Sequence, residues 1–158
     1  MSITVTAPAA YIKGTVPAGS IVLGIGSATS STPSTTYQAV GGITDISGSG
    51  VKLGTVASTD VTSRNVRRLG TTLDFGTITA TIKNANSDTG QTSVSAAQLA
   101  AVPYDFVVQY HDVDAAKTVT IAFSALVTDF GAVDLGDEKV NTSKVELTLD
   151  GAWSITSA

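Results

Sequence analysis

Three runs in the second half of the chain alternate small polar and apolar residues with strict period two: Thr77-Ile78-Thr79-Ala80-Thr81-Ile82-Lys83, Thr118-Val119-Thr120-Ile121-Ala122-Phe123-Ser124 and Lys144-Val145-Glu146-Leu147-Thr148-Leu149-Asp150. Successive side chains on a strand point to opposite faces. Each run therefore has one apolar face and one face of hydroxyls with a few charges. That describes a sheet packed on one side and wet on the other. Composition agrees. Ser and Thr make up about a quarter of the 158 residues, 15 are Gly, and only 14% are charged, against a usual ~25%. Thr, Val and Ile favour strands, and Gly and Ser fill turns. The expected fold class is mainly β.

Several function classes lose support at this level. With no cysteine, disulfides and thiolate zinc sites are impossible. The net charge of −4 lacks the basic footprint of a sequence-independent nucleic-acid binder. No run approaches the ~20 apolar residues of a membrane helix. The N-terminus lacks a basic region followed by an uninterrupted apolar one, so no signal peptide is expected.

Residues 1–19, interrupted by Pro8 and Pro17, read as an arm. Its Ala7, Ala9, Tyr11, Ile12 and Val16 are too apolar for a solvated tail, which suggests docking. Residues 20–158 read as a single β domain. Strands are expected over 20–26, over 37–46 with a bulge or bend at Gly41-Gly42, and over 55–61. A long loop at about 47–74 loses its pattern from Thr62 and carries Arg64, Arg67 and Arg68 beside Leu69, Leu73 and Phe75. A helix is expected around Ala96–Ala101, capped by Ser93 or Ser95 and ended by Pro103. Further strands follow over 104–111, 118–128 and 138–150. A Gly/Asp loop separates the last two, and a closing strand starts at Trp153.

No catalytic set emerges. Tyr110-His111-Asp112-Val113-Asp114 holds the single histidine with no partner motif. Gly24-Ile25-Gly26 lacks the Lys-Ser/Thr and helix of a phosphate loop. Asp129, Asp134, Asp137 and Glu138 match no calcium-loop spacing. No Gly-x-Ser-x-Gly elbow frames a serine. The expectation is no enzyme, no cofactor and no metal. The arginine cluster reads as a phosphate patch, a solvated loop or a subunit contact; Arg pairs bidentately with carboxylates and is enriched at interfaces, and the neighbouring Leu69, Leu73 and Phe75 favour burial.

Order and spacing of short motifs resemble the tail tube proteins of bacteriophages with long, non-contractile tails. The matching segments are Tyr37-Gln38-Ala39-Val40-Gly41-Gly42-Ile43-Thr44-Asp45-Ile46-Ser47, then Asp60-Val61-Thr62-Ser63, Leu73-Asp74-Phe75-Gly76 and Phe123-Ser124-Ala125-Leu126-Val127-Thr128. The terminal stretch from Val145 to Thr156 completes the series. The resemblance implies a β-sandwich or half-barrel with one short flanking helix, whose sheets complete a barrel in a ring oligomer. It implies a virion protein, assembled in the host cytoplasm, whose hexameric rings stack into a tube that conducts DNA during ejection. It implies tape-measure, terminator and baseplate proteins as partners, transient passage of DNA and no membrane binding. Interfaces would use the loop (Arg64, Arg67, Arg68, Leu69, Leu73, Phe75) and the arm (Tyr11, Ile12). Thr77, Thr79, Thr81, Thr118, Thr120 and Ser124 would line the lumen. A net-acidic, hydroxylated wall repels DNA and does not hold it. Rival readings are tubes of contractile tails and secretion systems, a capsid decoration protein, and a non-catalytic β-sandwich binding module.

Overall fold

The structure, a computed structural model, describes residues 4–6, 21–58, 67–85, 87–112, 117–134 and 141–157. Its strands are β1 (Thr4–Thr6), β2 (Val22–Ala28), β3 (Thr36–Val40), β4 (Ile43–Gly48), β5 (Lys52–Ser58), β6 (Arg67–Asp74) and β7 (Thr77–Lys83). A helix, α1 (Thr89–Ala100), precedes β8 (Tyr104–Asp112), β9 (Lys117–Asp134), β10 (Thr142–Leu149) and β11 (Ser154–Ser157).

One sheet runs in the order β1-β3-β2-β8-β9-β10-β7-β4, with β11 added to β9. All its ladders are antiparallel except β1 on β3. The sheet cannot be flat. β3 and β4 stand six strand spacings apart, about 29 Å at ~4.8 Å each. Yet only Gly41 and Gly42 join them, a link that reaches roughly 11 Å. The sheet therefore curls until its ends meet, which gives a sandwich-like subunit and not a closed barrel.

The corner is held by named groups. Gly42 has φ +82°, and a Cβ there would sit 2.5 Å from the Lys83 carbonyl oxygen, so only glycine fits. The Lys83 N–H donates to the Gly42 carbonyl at 2.8 Å. Gln91, buried on α1, donates from Nε2 to the carbonyls of Gly41 (2.9 Å) and Lys83 (2.8 Å). Its Oε1 accepts from the Ala85 N–H at 3.0 Å.

The apolar faces of the alternating runs meet inside. Ile78, Ala80, Ile82, Phe123, Val145 and Leu147 are buried with Leu23, Ile25, Phe106 and Val108. Phe106 and Phe123 are register partners with stacked rings 6.0 Å apart. The helix lies on β2, β3 and β9 and contributes Val94 and Ala97. It begins earlier than Ser93 or Ser95: Asp88 is the N-cap and accepts from the Gln91 N–H at 2.9 Å. Gly90 permits its close approach, since a Cβ there would lie 2.7 Å from the Val40 Cα.

Three further segments differ from the sequence reading. Residues 67–74, expected within a loop over 47–74, form β6 paired with β5. β9 continues through Asp129 to Asp134, where a Gly/Asp loop was expected. It accommodates two register shifts against β10 and a Gly131 at φ +106°. Within the expected arm over 1–19, Thr4–Thr6 pairs parallel to Thr36–Gln38. Tyr11, Ile12 and Arg64 lie outside the described residues.

Candidate functional site

β5 and β6 form a sheet of their own, a two-stranded ribbon. Its base is fixed to the body. The Ser49 N–H donates to the Thr77 carbonyl (2.8 Å), the Thr77 N–H donates to Ser49 Oγ (2.8 Å), and the Leu149 N–H donates to the Gly76 carbonyl (3.0 Å). Phe75, half-buried, packs against the core at this base.

The ribbon's register carries the main finding. Leu53 pairs with Leu73, and Val56 with Leu69. Between these pairs β5 advances from Leu53 to Thr55 while β6 advances from Leu73 to Gly70, one residue more. Thr71 and Thr72 thus both stand opposite Gly54. A Cβ on Gly54 would lie 2.8 Å from Thr71 Oγ1 and 3.1 Å from Thr72 Oγ1. The bulge inverts facing beyond it. Leu53 and Leu73 share a face with Gly70, whose Cβ would meet Leu53 Cδ2 at 3.3 Å, while Val56 and Leu69 occupy the other face. All four are more than half exposed. Arg68, opposite Ala57, is exposed on the same ribbon, and Arg67 opens β6.

The second surface is the side of the sheet away from the core. Thr77, Thr79 and Thr81 pair with Thr148, Glu146 and Lys144, and on their other side Thr79 and Thr81 pair with Ser47 and Asp45. Lys144 and Glu146 form an exposed ion pair at 3.0 Å. Thr118, Thr120 and Ser124 lie on the same side of β9, alternating with core-facing Phe123.

Ser124 is not an open hydroxyl. It shares a 2.6 Å hydrogen bond with Thr29 Oγ1, which also donates to Asp105 Oδ1 at 2.9 Å. Buried Asp105 accepts the Ser34 N–H on Oδ2 at 2.8 Å. The segment 29–35 is thereby tied over this end of the hydroxyl face. Tyr37 is buried nearby. Burial first, and the charge of Asp105 second, raise its phenol above the ordinary value of 10.0. Thr120 accepts from Gln109 Nε2 at 3.1 Å.

The helix and the hydroxyls thus occupy opposite sides of one sheet. Among the described residues no three His, Asp or Glu side chains converge as a metal site would need, and no helix is long and apolar enough to cross a membrane. His111 and Asp112 sit at the end of β8, in register with Thr118 and Lys117.

Comparison with solved structures decides the fold. A chain in the anti-feeding prophage tube-terminating cap aligns over 93% of this chain and 94% of its own, with 17% identity and TM-score 0.62. This is the tail tube fold. A chain of the SPP1 tail tube aligns over 90% of this chain and 80% of its own, at 14% identity and TM-score 0.60. A chain of the PVC sheath–tube complex, an extracellular contractile injection system, aligns over 93% and 95%, at 14% identity and TM-score 0.61. The tail tube fold therefore spans contractile systems as well as the non-contractile kind that the motifs resemble. No protein-family model and no curated protein matches the sequence.

Proposed function

We propose that this protein is a structural virion component whose subunits close into hexameric rings and stack into a phage tail tube, the conduit for DNA during ejection. The observation that carries the reading is the β5–β6 ribbon: a subunit with the tail tube fold holds four large apolar side chains in water on an element with a sheet to itself. Monomeric proteins rarely leave such patches uncovered. The ribbon, with Arg67, Arg68, Leu69 and Leu73, is the ring-forming interface in this reading, with Arg64, Tyr11 and Ile12 as further contacts. Thr77, Thr79 and Thr81 face the lumen, backed by the core and α1, and Thr118 and Thr120 extend that wall. The face mixes Asp45, Glu146 and Lys144 among hydroxyls, so no cation array holds phosphates. Tape-measure, terminator and baseplate proteins are the partners at its ends, and the tail is its location, reached by assembly in the host cytoplasm. The role is structural, without catalysis.

Negative-stain electron microscopy over a concentration series tests this. Six-fold rings or hollow tubes are expected. Discrete dimers or trimers that never stack, with or without purified tail ends as seeds, would overturn it.

A further inference from the structure

The core does not end where its cover ends. The apolar face of β9 continues from buried Phe123 through Ile121 to Val119, both half-buried. Ile121 pairs with Ile155 of β11, and Val119 with Tyr110 of β8. Register partners share a face. Ile155 is 63% exposed, and Tyr110 is exposed as well. Ile21, one step beyond the Val22–Gln109 pair, adds an exposed apolar side chain at this end. Ile21, Tyr110, Val119, Ile121 and Ile155 thus form an uncharged shelf on the core side of the sheet.

We propose that this shelf receives the β5–β6 ribbon of a second copy of this chain, so that each ribbon is held between two neighbours. The inference rests on the tube reading and names where the ribbon lands. Three observations support a second copy as the occupant. The shelf and the ribbon are the two clusters of exposed large apolar side chains on strands among the described residues, and each is what the other lacks. They are different patches, so a ribbon seated on one neighbour's shelf leaves that neighbour's ribbon free. Such a heterologous contact propagates into a ring or a filament, whereas a self-complementary patch stops at a dimer. Finally, Leu53 and Val56 stand three apart on β5, and the bulge at Thr71–Thr72 lets Leu73 and Leu69 match them, so each face carries one apolar pair. A ribbon apolar on both faces is buried only between two surfaces, the shelf being one.

The test uses the full chain, whose lack of cysteine makes engineered thiols unambiguous. Chains carrying Ile155→Cys are mixed with chains carrying Leu53→Cys, and separately with chains carrying Leu69→Cys, then assembled and oxidised. An interchain disulfide is expected in one of the two mixtures, because one ribbon face meets the shelf. In parallel, Ile155→Asp should raise the concentration needed for tube growth at least about tenfold. Its circular dichroism melt should stay unchanged, since the side chain is exposed. Trp153, the single tryptophan and two residues away, reports the contact by a blue shift on assembly that Ile155→Asp abolishes. Tubes that form normally while neither mixture cross-links, or that grow unimpaired from Ile155→Asp, overturn the shelf and leave the tube reading standing. An unaltered chain that never forms rings or tubes overturns both.

Discussion

β7 with β10 and β5 with β6 are both antiparallel pairs in which threonines stand among large apolar residues, yet they end in opposite states. In the first pair Ile78 meets Leu147 and Ala80 meets Val145, all on one face, and that face is sealed. In the second, Leu53 and Val56 stand three apart on β5 and face opposite ways, one extra residue on β6 lets Leu73 and Leu69 follow them, and both apolar pairs stay in water. The spacing of the apolar residues, even along β7 and β10 and odd along β5, separates a strand pair that builds a core from one that cannot be buried within its own subunit.

The widest separation between the two pairs should come from truncation. Leu147→Ala should destabilise the subunit by about 2–5 kcal/mol, since it empties a fully buried site. Leu69→Ala should cost under ~0.5 kcal/mol in the monomer and act on assembly. Urea unfolding of dilute monomers checks both, and equal losses would break the contrast.

Next in size is the amide that pins the corner. Gln91→Leu strands two carbonyls and one N–H, and a loss of about 3 kcal/mol is expected at roughly 1–3 kcal/mol per orphaned group. The urea midpoint should fall at an unchanged m-value, with the ribbon unaffected.

A smaller effect belongs to pH. The folded phenol of Tyr37 holds its proton more tightly than the unfolded one. The associated stability is present in full below the ordinary value of 10.0 and is lost as pH rises through the higher folded value. Thermal melts from neutral to strongly alkaline pH should show Tyr37→Phe losing less stability than the unaltered chain at the alkaline end. Parallel curves would remove Tyr37 from that role.

The smallest effect on the subunit should be the sharpest on assembly. Inserting one threonine after Gly54 gives β5 a partner for the extra residue of β6, removes the bulge and brings Leu53, Val56, Leu69 and Leu73 to one face. Monomer stability should shift by less than ~0.5 kcal/mol, while tube growth seen by electron microscopy fails. Normal tubes from this insertion would mean that two-faced exposure is not what assembly uses.

The strands that period two marks most strongly are those with one sealed face, and β7, the first part of β9 and β10 were legible for that reason. β6 was not. Arg67, Arg68 and Gly70 interrupt its apolar pattern, and the bulge shifts its phase. The helix was legible from its alanines but not its start, because Asp88 stands in a stretch that reads as a polar turn until its contact with the Gln91 N–H is known. β9 beyond Thr128 was hidden by Asp129, Gly131 and Asp134, residues that favour loops unless a partner strand such as β10 holds them. Ser124 read as an open hydroxyl. Its bond to Thr29, 95 residues away, depends on how the sheet curls, and no local pattern encodes it.

The Gly41–Gly42 corner has a consequence in time. Five of the eight ladders of the sheet join strands that are not consecutive in the chain: β4 waits for β7 and β2 for β8, while the corner waits for Gln91. Loop closure then precedes reward at each step, and folding is expected over milliseconds to seconds, not the microseconds of a hairpin. The ribbon's base is bonded to Thr77 and stands beside the Leu149–Gly76 bond, so its splay from the body is fixed only once β7 and β10 have joined. A nascent chain therefore does not present a correctly aimed ribbon before its own sheet is complete, so under the proposed tube assembly growth recruits finished subunits.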